Sequence, residues 1–537
     1  MPASTSPPAP PSPPTAPSPP HPSSLPRSLS GYRISELTAA LRGGDPIEIR
    51  MPFTGEVLVQ LPAAGEENVV EAAAEARIAQ RTWAARPVAE RAAVLMRWHD
   101  AVLRRADELL DVIQAETGKA RAHAFEEVAD VANVCRYYAR VAGRALAPQR
   151  RSGAFPVITK TIEQHHPLGL VGLISPWNYP LTLGAGDAVP ALVAGNAVLH
   201  KPDTHTALTT LLARDLAIEA GLPPAVWQVV VGDGAAVGSA VVDTVDHVVF
   251  TGSTATGRLV GERAGRRLIR AELELGGKNA MIVRADAKIG AAVAGAVRGA
   301  FNSTGQLCLS VERIYLHESI ADEFERRLVS AVREFRLGAG FDYRADVGSL
   351  AGPAQLAKVR GHVEDAVAQG ARVLAGGRAR PDIGPYFYEP TVLTGVPPHA
   401  TCYAEETFGP VVSLYRVSGD EEAVAAVNDS RYGLNASVWS RDRSRAVGLA
   451  GRLHTGMVNI NEAYASAWGS VDARMGGVKD SGPGRRHGID GLLDTTWSQT
   501  VATQRLWPIG EHRTLRGRRF QAGMTTALRM LKRVGRT

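Results

Sequence analysis

The chain has 537 residues, 45% of them hydrophobic and 21% charged, a balance that fits a soluble globular protein of two to four domains at roughly 150 residues each. Its three cysteines, Cys135, Cys308 and Cys402, form no CxxC pair and no zinc-spaced cluster with histidine. A disulfide framework is thereby excluded, no metal is expected, and a reducing cytoplasm is the expected compartment. The formal charge of +6 gathers in residues 508–537, where eight Lys/Arg face one acid, Glu511. The near-neutral remainder argues against a nucleic-acid-binding core, and no apolar run reaches the ~18 residues of a membrane span.

The first thirty residues hold twelve prolines and one charged residue, Arg27. Such a segment (1–30) should be disordered, and it has neither the basic start and apolar stretch of a signal peptide nor the arginines of a transit peptide. Apolar spacing of three and four predicts helices over Asn68–Thr82, Val88–Glu116 and His123–Val141. Short β-rich runs follow at Leu168–Ile174, Ala197–His200, Val226–Val231 and His247–Phe250, with helical stretches Thr206–Ala220 and Ala235–Val242 between them. Strand alternating with helix predicts a mostly parallel α/β sheet that binds ligand at the carboxyl ends of its strands. A second alternating section, with strands Ala280–Val283, Glu312–Leu316 and Val411–Tyr415, runs to about Asn459. The expected organisation is a cofactor unit (31–153 and 167–275), a catalytic unit (276–489) and a basic tail (506–537). Pro156–His165 and Thr495–Thr503 are β-rich outside both patterns and predict a paired arm (154–166 and 490–505). In the tail, Leu515, Phe520, Met524, Leu528 and Leu531 among the basic residues read either as a solvated or subunit-contacting extension or, less readily, as an amphipathic helix on an acidic membrane.

Four places carry candidate chemistry. Cys308 follows Phe301-Asn-Ser-Thr-Gly-Gln-Leu, at the expected end of a helix before a strand. Alone it reads as a small buried hydrophobe, but the small polar approach leaves its sulfur reachable, and a thiolate is a nucleophile. Cys135 and Cys402 read as structural. Glu274 shares a strand face with Glu272 and precedes Gly276-Gly277, so it could meet a ligand closely and activate water; alone it could equally be a salt-bridged edge residue. Asn178, in Ser175-Pro-Trp-Asn178-Tyr-Pro after a strand, could donate to an oxyanion or simply make a turn. Phe250-Thr-Gly252-Ser253 follows a strand and opens a helix, where an anion such as a pyrophosphate would be favoured.

These motifs in this order resemble the aldehyde dehydrogenase family over roughly Glu48–Gln504. Gly195-Asn-Ala-Val-Leu-His-Lys201-Pro, Leu273-Glu-Leu-Gly-Gly-Lys, Gly305-Gln-Leu-Cys308, Glu405-Glu-Thr-Phe408-Gly-Pro and Tyr432-Gly-Leu-Asn-Ala-Ser-Val complete the match. The resemblance implies a Rossmann-like cofactor domain, an α/β catalytic domain and a β-rich oligomerisation arm. It further implies Cys308 as nucleophile, Asn178 with the Cys308 N–H as oxyanion donors, and Glu274 as the base that hydrolyses the thioester. The implied cofactor set is Ile174, Ser175, Trp177, Asn178, Lys201, Pro202, Asp203, Thr204, Gly234, Gly252, Ser253, Leu275, Gly276, Glu406 and Phe408. Members that prefer NAD carry Glu where Thr204 stands, so the resemblance implies NADP, with NAD as the alternative. Lys201-Pro-Asp-Thr204, Gly469-Ser and Gly484-Arg-Arg-His-Gly488 are similar to an NADP-type succinate-semialdehyde dehydrogenase group, which makes that aldehyde the first candidate substrate. The better-known enzymes of that activity place arginines where Gly186 and Asn302 stand, which favours neutral aliphatic or aromatic aldehydes as the alternative. An inactive structural protein on the same scaffold is the remote reading. Homodimers or homotetramers are the expected assembly, with no nucleic-acid partner.

Overall fold

The computed structural model describes residues 25–155, 158–507, 509–511 and 513–533. A short helix, Gly31–Thr38, and an antiparallel pair, Pro46–Arg50 with Val57–Pro62, precede four helices: Glu66–Ala85, Val88–Arg104, Ala106–Thr117 and Arg121–Ala145. The stretch expected as one helix over Val88–Glu116 breaks at Arg105. No glycine or proline marks that break. The Arg105 side chain instead turns to Glu108 and Glu219, a tertiary contact that spacing cannot show.

Of these, the last three pack against the helices Asp187–Ala194 and Ala207–Glu219, and Glu66–Ala85 packs on a five-stranded, all-parallel sheet. Its spatial order is Trp227–Val229, Ala197–Pro202, Leu170–Ser175, His247–Thr251 and Arg270–Glu274. All five residues of His247–Thr251 are buried, as expected of a strand covered on both faces, and this is why the apolar runs were continuous. The chain then enters a seven-stranded sheet through Asn279–Val283, which lies between Val311–His317 and Asn435–Trp439. Every neighbouring pair there is parallel except Arg372–Ala375 with Thr391–Thr394. The expected mixed architecture of two α/β units is therefore the observed one. Leu275–Lys278 links the two sheets, so a strand end of one stands beside a strand start of the other.

The arm is an antiparallel sheet of Thr496–Gln504, Thr159–Pro167 and Gln149–Arg151. Three boundaries differ from expectation. Gln149–Arg151, read as part of the cofactor unit, pairs in the arm, and Gly488–Leu493 is a helix against Arg121–Ala145 rather than arm. Of the segment expected to be disordered, residues 1–24 lie outside the described residues, but Arg27–Leu29 makes a helical turn. Leu29 is buried there, and the Ser28 hydroxyl donates to Asp111 at 2.6 Å. In the basic tail, Gly517–Arg533 is a helix with no buried residue. Its Phe520, Met524 and Ala527 face Phe155, Ile158 and Trp507 across a cavity of about 430 Å³. Among the described residues no helix is long and apolar enough to cross a membrane.

Candidate active site

Cys308 does not end a helix. The helix Ile289–Phe301 gives way to a tight turn, Asn302–Gly305, and then to a loop that leads into Val311–His317. Ser303, Thr304 and Gly305 all have left-handed backbone, with φ of 51°, 57° and 68°. Such a conformation is costly for a β-branched threonine and persists only where the surroundings impose it. They do so here. The Ser303 N–H donates to His123 Nδ1 at 3.1 Å and the Thr304 hydroxyl to the Gly348 carbonyl at 3.3 Å. Gln306 accepts from the Ala351 N–H at 2.9 Å. A Cβ on Gly305 would overlap the Gly409 carbonyl.

Beyond the turn, the Asn279 amide donates to the carbonyls of Cys308 and Ser310 at 2.7 and 2.9 Å, and its oxygen accepts from the Asn435 N–H at 3.0 Å. Asn178, 4% exposed, donates its amide to the Gln306 carbonyl at 3.0 Å. That places the expected oxyanion donor against the nucleophile loop, with one amide hydrogen to spare. The Asn178 carbonyl in turn accepts from Lys119 Nζ at 2.6 Å, and Lys119 pairs with buried Glu127 at 2.7 Å. Glu127 also receives the N–H groups of Leu181 and Thr182, which fixes the turn after Asn178. Glu274 ends its strand, 3% exposed, with Oε1 free of any hydrogen-bond partner. Gly476 and Gly484 leave space for that oxygen; a Cβ on either would stand 2.9 or 2.7 Å from it.

Burial dominates the electrostatics. It pushes the Cys308 thiol up to about 12, opposed chiefly by Arg486, and the Glu274 carboxyl up to about 7, again opposed by Arg486. Glu406 also rises to about 7 through burial. A carboxyl near 7 exchanges protons readily at neutral pH, as a general base requires.

Two cavities flank these residues. One, about 730 Å³, is lined by Ile174, Ser175, Trp177, Lys201, Asp203, Gly234, Gly252 and Ser253 of the expected cofactor set. The N-terminus of helix Thr254–Arg266, capped by Ser253, faces it and offers an anion its unpaired N–H groups. The volume suits a dinucleotide, and open space at Gly234 leaves the backbone approachable. Glu406, Phe408, Gly276 and Leu275 do not line this cavity. Glu406 accepts from the Gly277 N–H at 2.8 Å, and Phe408 meets Trp177 edge-on at 5.5 Å. Thr204 and Pro202 do not line the cavity, and the Thr204 hydroxyl donates to the Gly232 carbonyl at 2.9 Å. The chain turns at Asp203, so Lys201 and Asp203 face the cavity while the Thr204 hydroxyl is engaged elsewhere.

The second cavity, about 570 Å³, has Cys308 in its wall among Phe125, Tyr179, Leu183, Leu307, Tyr464 and Trp468. Its acids are Glu126 and Asp130, and its cationic side chain is Arg136. Asn302 donates to Glu126 at 2.9 Å and to Tyr464 at 2.8 Å, while Gly186 closes a buried helical turn, Leu181–Gly186. Sequence reasoning assigned no role to Lys119, Asn279, Glu126, Arg136, Asp187 or Arg486. Arg486 lay in a quoted motif, without a role.

The aldehyde dehydrogenase family profile matches residues 40–501. A Mycolicibacterium smegmatis protein named "Putative succinate-semialdehyde dehydrogenase (NADP+)" is 51% identical over 482 residues, 90% of this chain and 93% of that one. A crystal structure of succinate-semialdehyde dehydrogenase from Burkholderia pseudomallei is 35% identical with a TM-score of 0.83, covering 86% of this chain and 96% of that one. A structure of Staphylococcus aureus betaine aldehyde dehydrogenase in complex with NAD+ is 30% identical with a TM-score of 0.83, covering 88% and 97%. The chain is an oxidoreductase in architecture and cleft. It belongs to the aldehyde dehydrogenase family.

Two outcomes are expected. Gly305→Ala should lower unfolding stability by about 1–3 kcal/mol in denaturant titration, because it adds left-handed strain to a backbone overlap; an unchanged midpoint would contradict the turn described. With Glu274 as the expected base and its carboxyl near 7, hydrolysis of an acyl-enzyme should rise with pH to a plateau above about 8 and fall roughly tenfold per unit below about 6. Quenched-flow acid release across pH 5–9 measures this.

Proposed function

We propose that the chain oxidises an aldehyde to its carboxylic acid with NADP, through a thioester on Cys308 that is hydrolysed by water activated at Glu274. The observation that carries this reading is the convergence of Asn178 and Glu274 on the nucleophile loop, between a cofactor-sized cleft and an apolar cavity. The Cys308 thiol gives up its proton to solvent in the adjoining cavity as its sulfur attacks the aldehyde carbon, and the Asn178 amide with the Cys308 N–H receives the oxygen as it gains charge. A nicotinamide held by the cofactor cleft would supply the acceptor for the hydride that leaves that carbon. Glu274 then takes a proton from the water that attacks the thioester, and the Cys308 sulfur leaves. The preference for NADP is supported by Lys201 in the cleft and by the absence of a carboxylate at Thr204, and it accords with the relative's name. With the Thr204 hydroxyl engaged by Gly232, Lys201 is the group left to meet a 2′-phosphate.

Succinate semialdehyde is the first candidate substrate, after the names of the relatives. Arg136 supports it, as a guanidinium in the cavity wall that makes no ion pair among the described residues and donates to Asn133 at 2.6 Å. Neutral aliphatic or aromatic aldehydes are the second reading, favoured by the aromatic walls and by Asn302, which holds a carboxyl rather than a cation at its end of the cavity. A homo-oligomer built through the arm is supported by Thr496–Gln504, which pairs along one edge only and leaves the other open. A cytoplasmic setting accords with three free thiols.

Initial rates with succinate semialdehyde, hexanal and benzaldehyde, each with NADP and NAD, test this. Succinate semialdehyde with NADP should lead in kcat/KM by about tenfold or more, and Arg136→Ala should raise its KM about tenfold while leaving benzaldehyde unaffected. Equal values across the panel would favour the neutral reading.

A further inference from the structure

A buried cation stands behind the oxyanion site, and the reaction above gives it no part. Lys119 follows Gly118, whose left-handed backbone (φ 73°) ends the helix Ala106–Thr117. Its buried Nζ meets three groups. They are Glu127 Oε1 at 2.7 Å, the Asn178 carbonyl at 2.6 Å, and the face of the Tyr179 ring, 3.8 Å from its centroid. Glu127 lies on the helix Arg121–Ala145, whereas Asn178 and Tyr179 belong to the turn that follows the strand Leu170–Ser175. Three separate stretches of chain therefore meet at one nitrogen.

All three neighbours accept and none donates. A neutral amine has two N–H groups and would turn its lone pair toward one of these acceptors, so Nζ carries three hydrogens and a positive charge. Burial lowers the proton affinity of Lys119, and the Glu127 carboxylate in contact with it opposes that. The Asn178 side chain spends one amide hydrogen on the Gln306 carbonyl. The other can meet an oxyanion only if the backbone beneath it is fixed. Pro176 and Pro180 flank the turn and bring no N–H to it. Lys119 takes the carbonyl of Asn178 itself, and Glu127 takes the N–H groups of Leu181 and Thr182 just beyond.

We propose that Lys119 is a positioning residue for the oxyanion site: its ammonium, held by Glu127, clamps the Asn178 carbonyl and the Tyr179 ring so that the Asn178 amide is aimed before the aldehyde arrives. The proposal rests on Asn178 being an oxyanion donor. One such donor is worth about 100- to 1000-fold in kcat, and a misplacement of about 1 Å can cost about 100-fold. No hydrogen bond or ion pair joins Lys119 to Cys308 or Glu274 among the described residues. The clamp therefore acts through Asn178.

Lys119→Met alone would leave Glu127 charged and unpaired in the interior. The test variant is Lys119→Met with Glu127→Gln, which removes both charges and keeps an acceptor for Leu181 and Thr182. Three readings are compared with wild type: NADPH formation in a single turnover with succinate semialdehyde and NADP, alkylation of Cys308 by iodoacetamide, and NADP affinity from protein fluorescence. NADPH formation should fall about tenfold to 100-fold. Alkylation, which builds no oxyanion, and NADP affinity should stay within about twofold. In an Asn178→Ala background the same pair of changes should slow NADPH formation by less than about twofold further. If the paired variant does not fold, Glu127→Gln alone serves. Its loss should grow as pH rises, because a buried Lys119 without its carboxylate gives up its proton. Wild-type NADPH formation in whichever variant folds would overturn the clamp. So would a full additive loss in the Asn178→Ala background, or equal slowing of alkylation, which marks a merely structural role. A wild-type rate in Asn178→Ala by itself would instead overturn the oxyanion reading on which the clamp rests.

Discussion

The site depends on the close passage of backbone at Gly276–Gly277, where the chain leaves one sheet for the other. A Cβ on Gly276 would stand 2.5 Å from the Glu406 carboxylate, and one on Gly277 would stand 3.0 Å from the Cys308 carbonyl. With no side chains there, Glu274, Glu406 and the nucleophile loop close around a single short link. The next residue locks it. Lys278 forms a buried ion pair with Glu312, and Glu312 also receives the N–H groups of Thr407 and Phe408 at 2.9–3.0 Å. Removing one partner from such a pair costs about 3–5 kcal/mol, because the other charge is left buried alone. The loop that carries Glu406 and Phe408 is therefore tied to the same link as the nucleophile.

Around that link, burial rather than charge pairing sets the proton affinities. Glu274 and Glu406 are both lifted to about 7, and the Cys308 thiol higher still. A dry site strengthens each dipole aimed into it, so the Asn178 amide gains value from the same desolvation that protonates its neighbours. The left-handed run Ser303–Gly305 adds a rigid element. Its strain is held by contacts from His123 and Gly348, which lie on separate parts of the chain.

Much of the architecture was legible because parallel strands covered on both faces are continuous apolar runs in sequence. His247–Thr251 and Asn279–Val283 are buried at every position, and both runs were found within a residue of their ends. The arm strands were found for a related reason, since nine paired positions of β-rich sequence stand outside either helical pattern. The break at Arg105 was not legible, because its partner Glu219 is distant in sequence; the strand Gln149–Arg151 was not, because three polar residues show no alternation. The turn Arg27–Leu29 was hidden by the proline-rich composition before it. A buried leucine and the bond from the Ser28 hydroxyl to Asp111 outweigh local composition there.

For the site, the sequence by itself determined which small and reactive residues stand in which order: Asn178 between prolines, Glu274 before two glycines, Cys308 after a polar turn. That order carried the family resemblance, and the resemblance implied a reaction; the motifs were legible because turns, close approaches and thiols are local properties of residue type. Only the tertiary structure decided which charges face them. Arg486 and Asp187 are 299 positions apart in the numbering, and Lys119 and Asn178 are 59 apart. In sequence a charged residue looks the same whether solvated or buried; folding removes the water and so decides which charges matter. The cavity wall around Cys308, with Glu126 held by Asn302 and Arg136 free of any ion pair among the described residues, was decided in the same way, by packing between segments that the sequence keeps far apart.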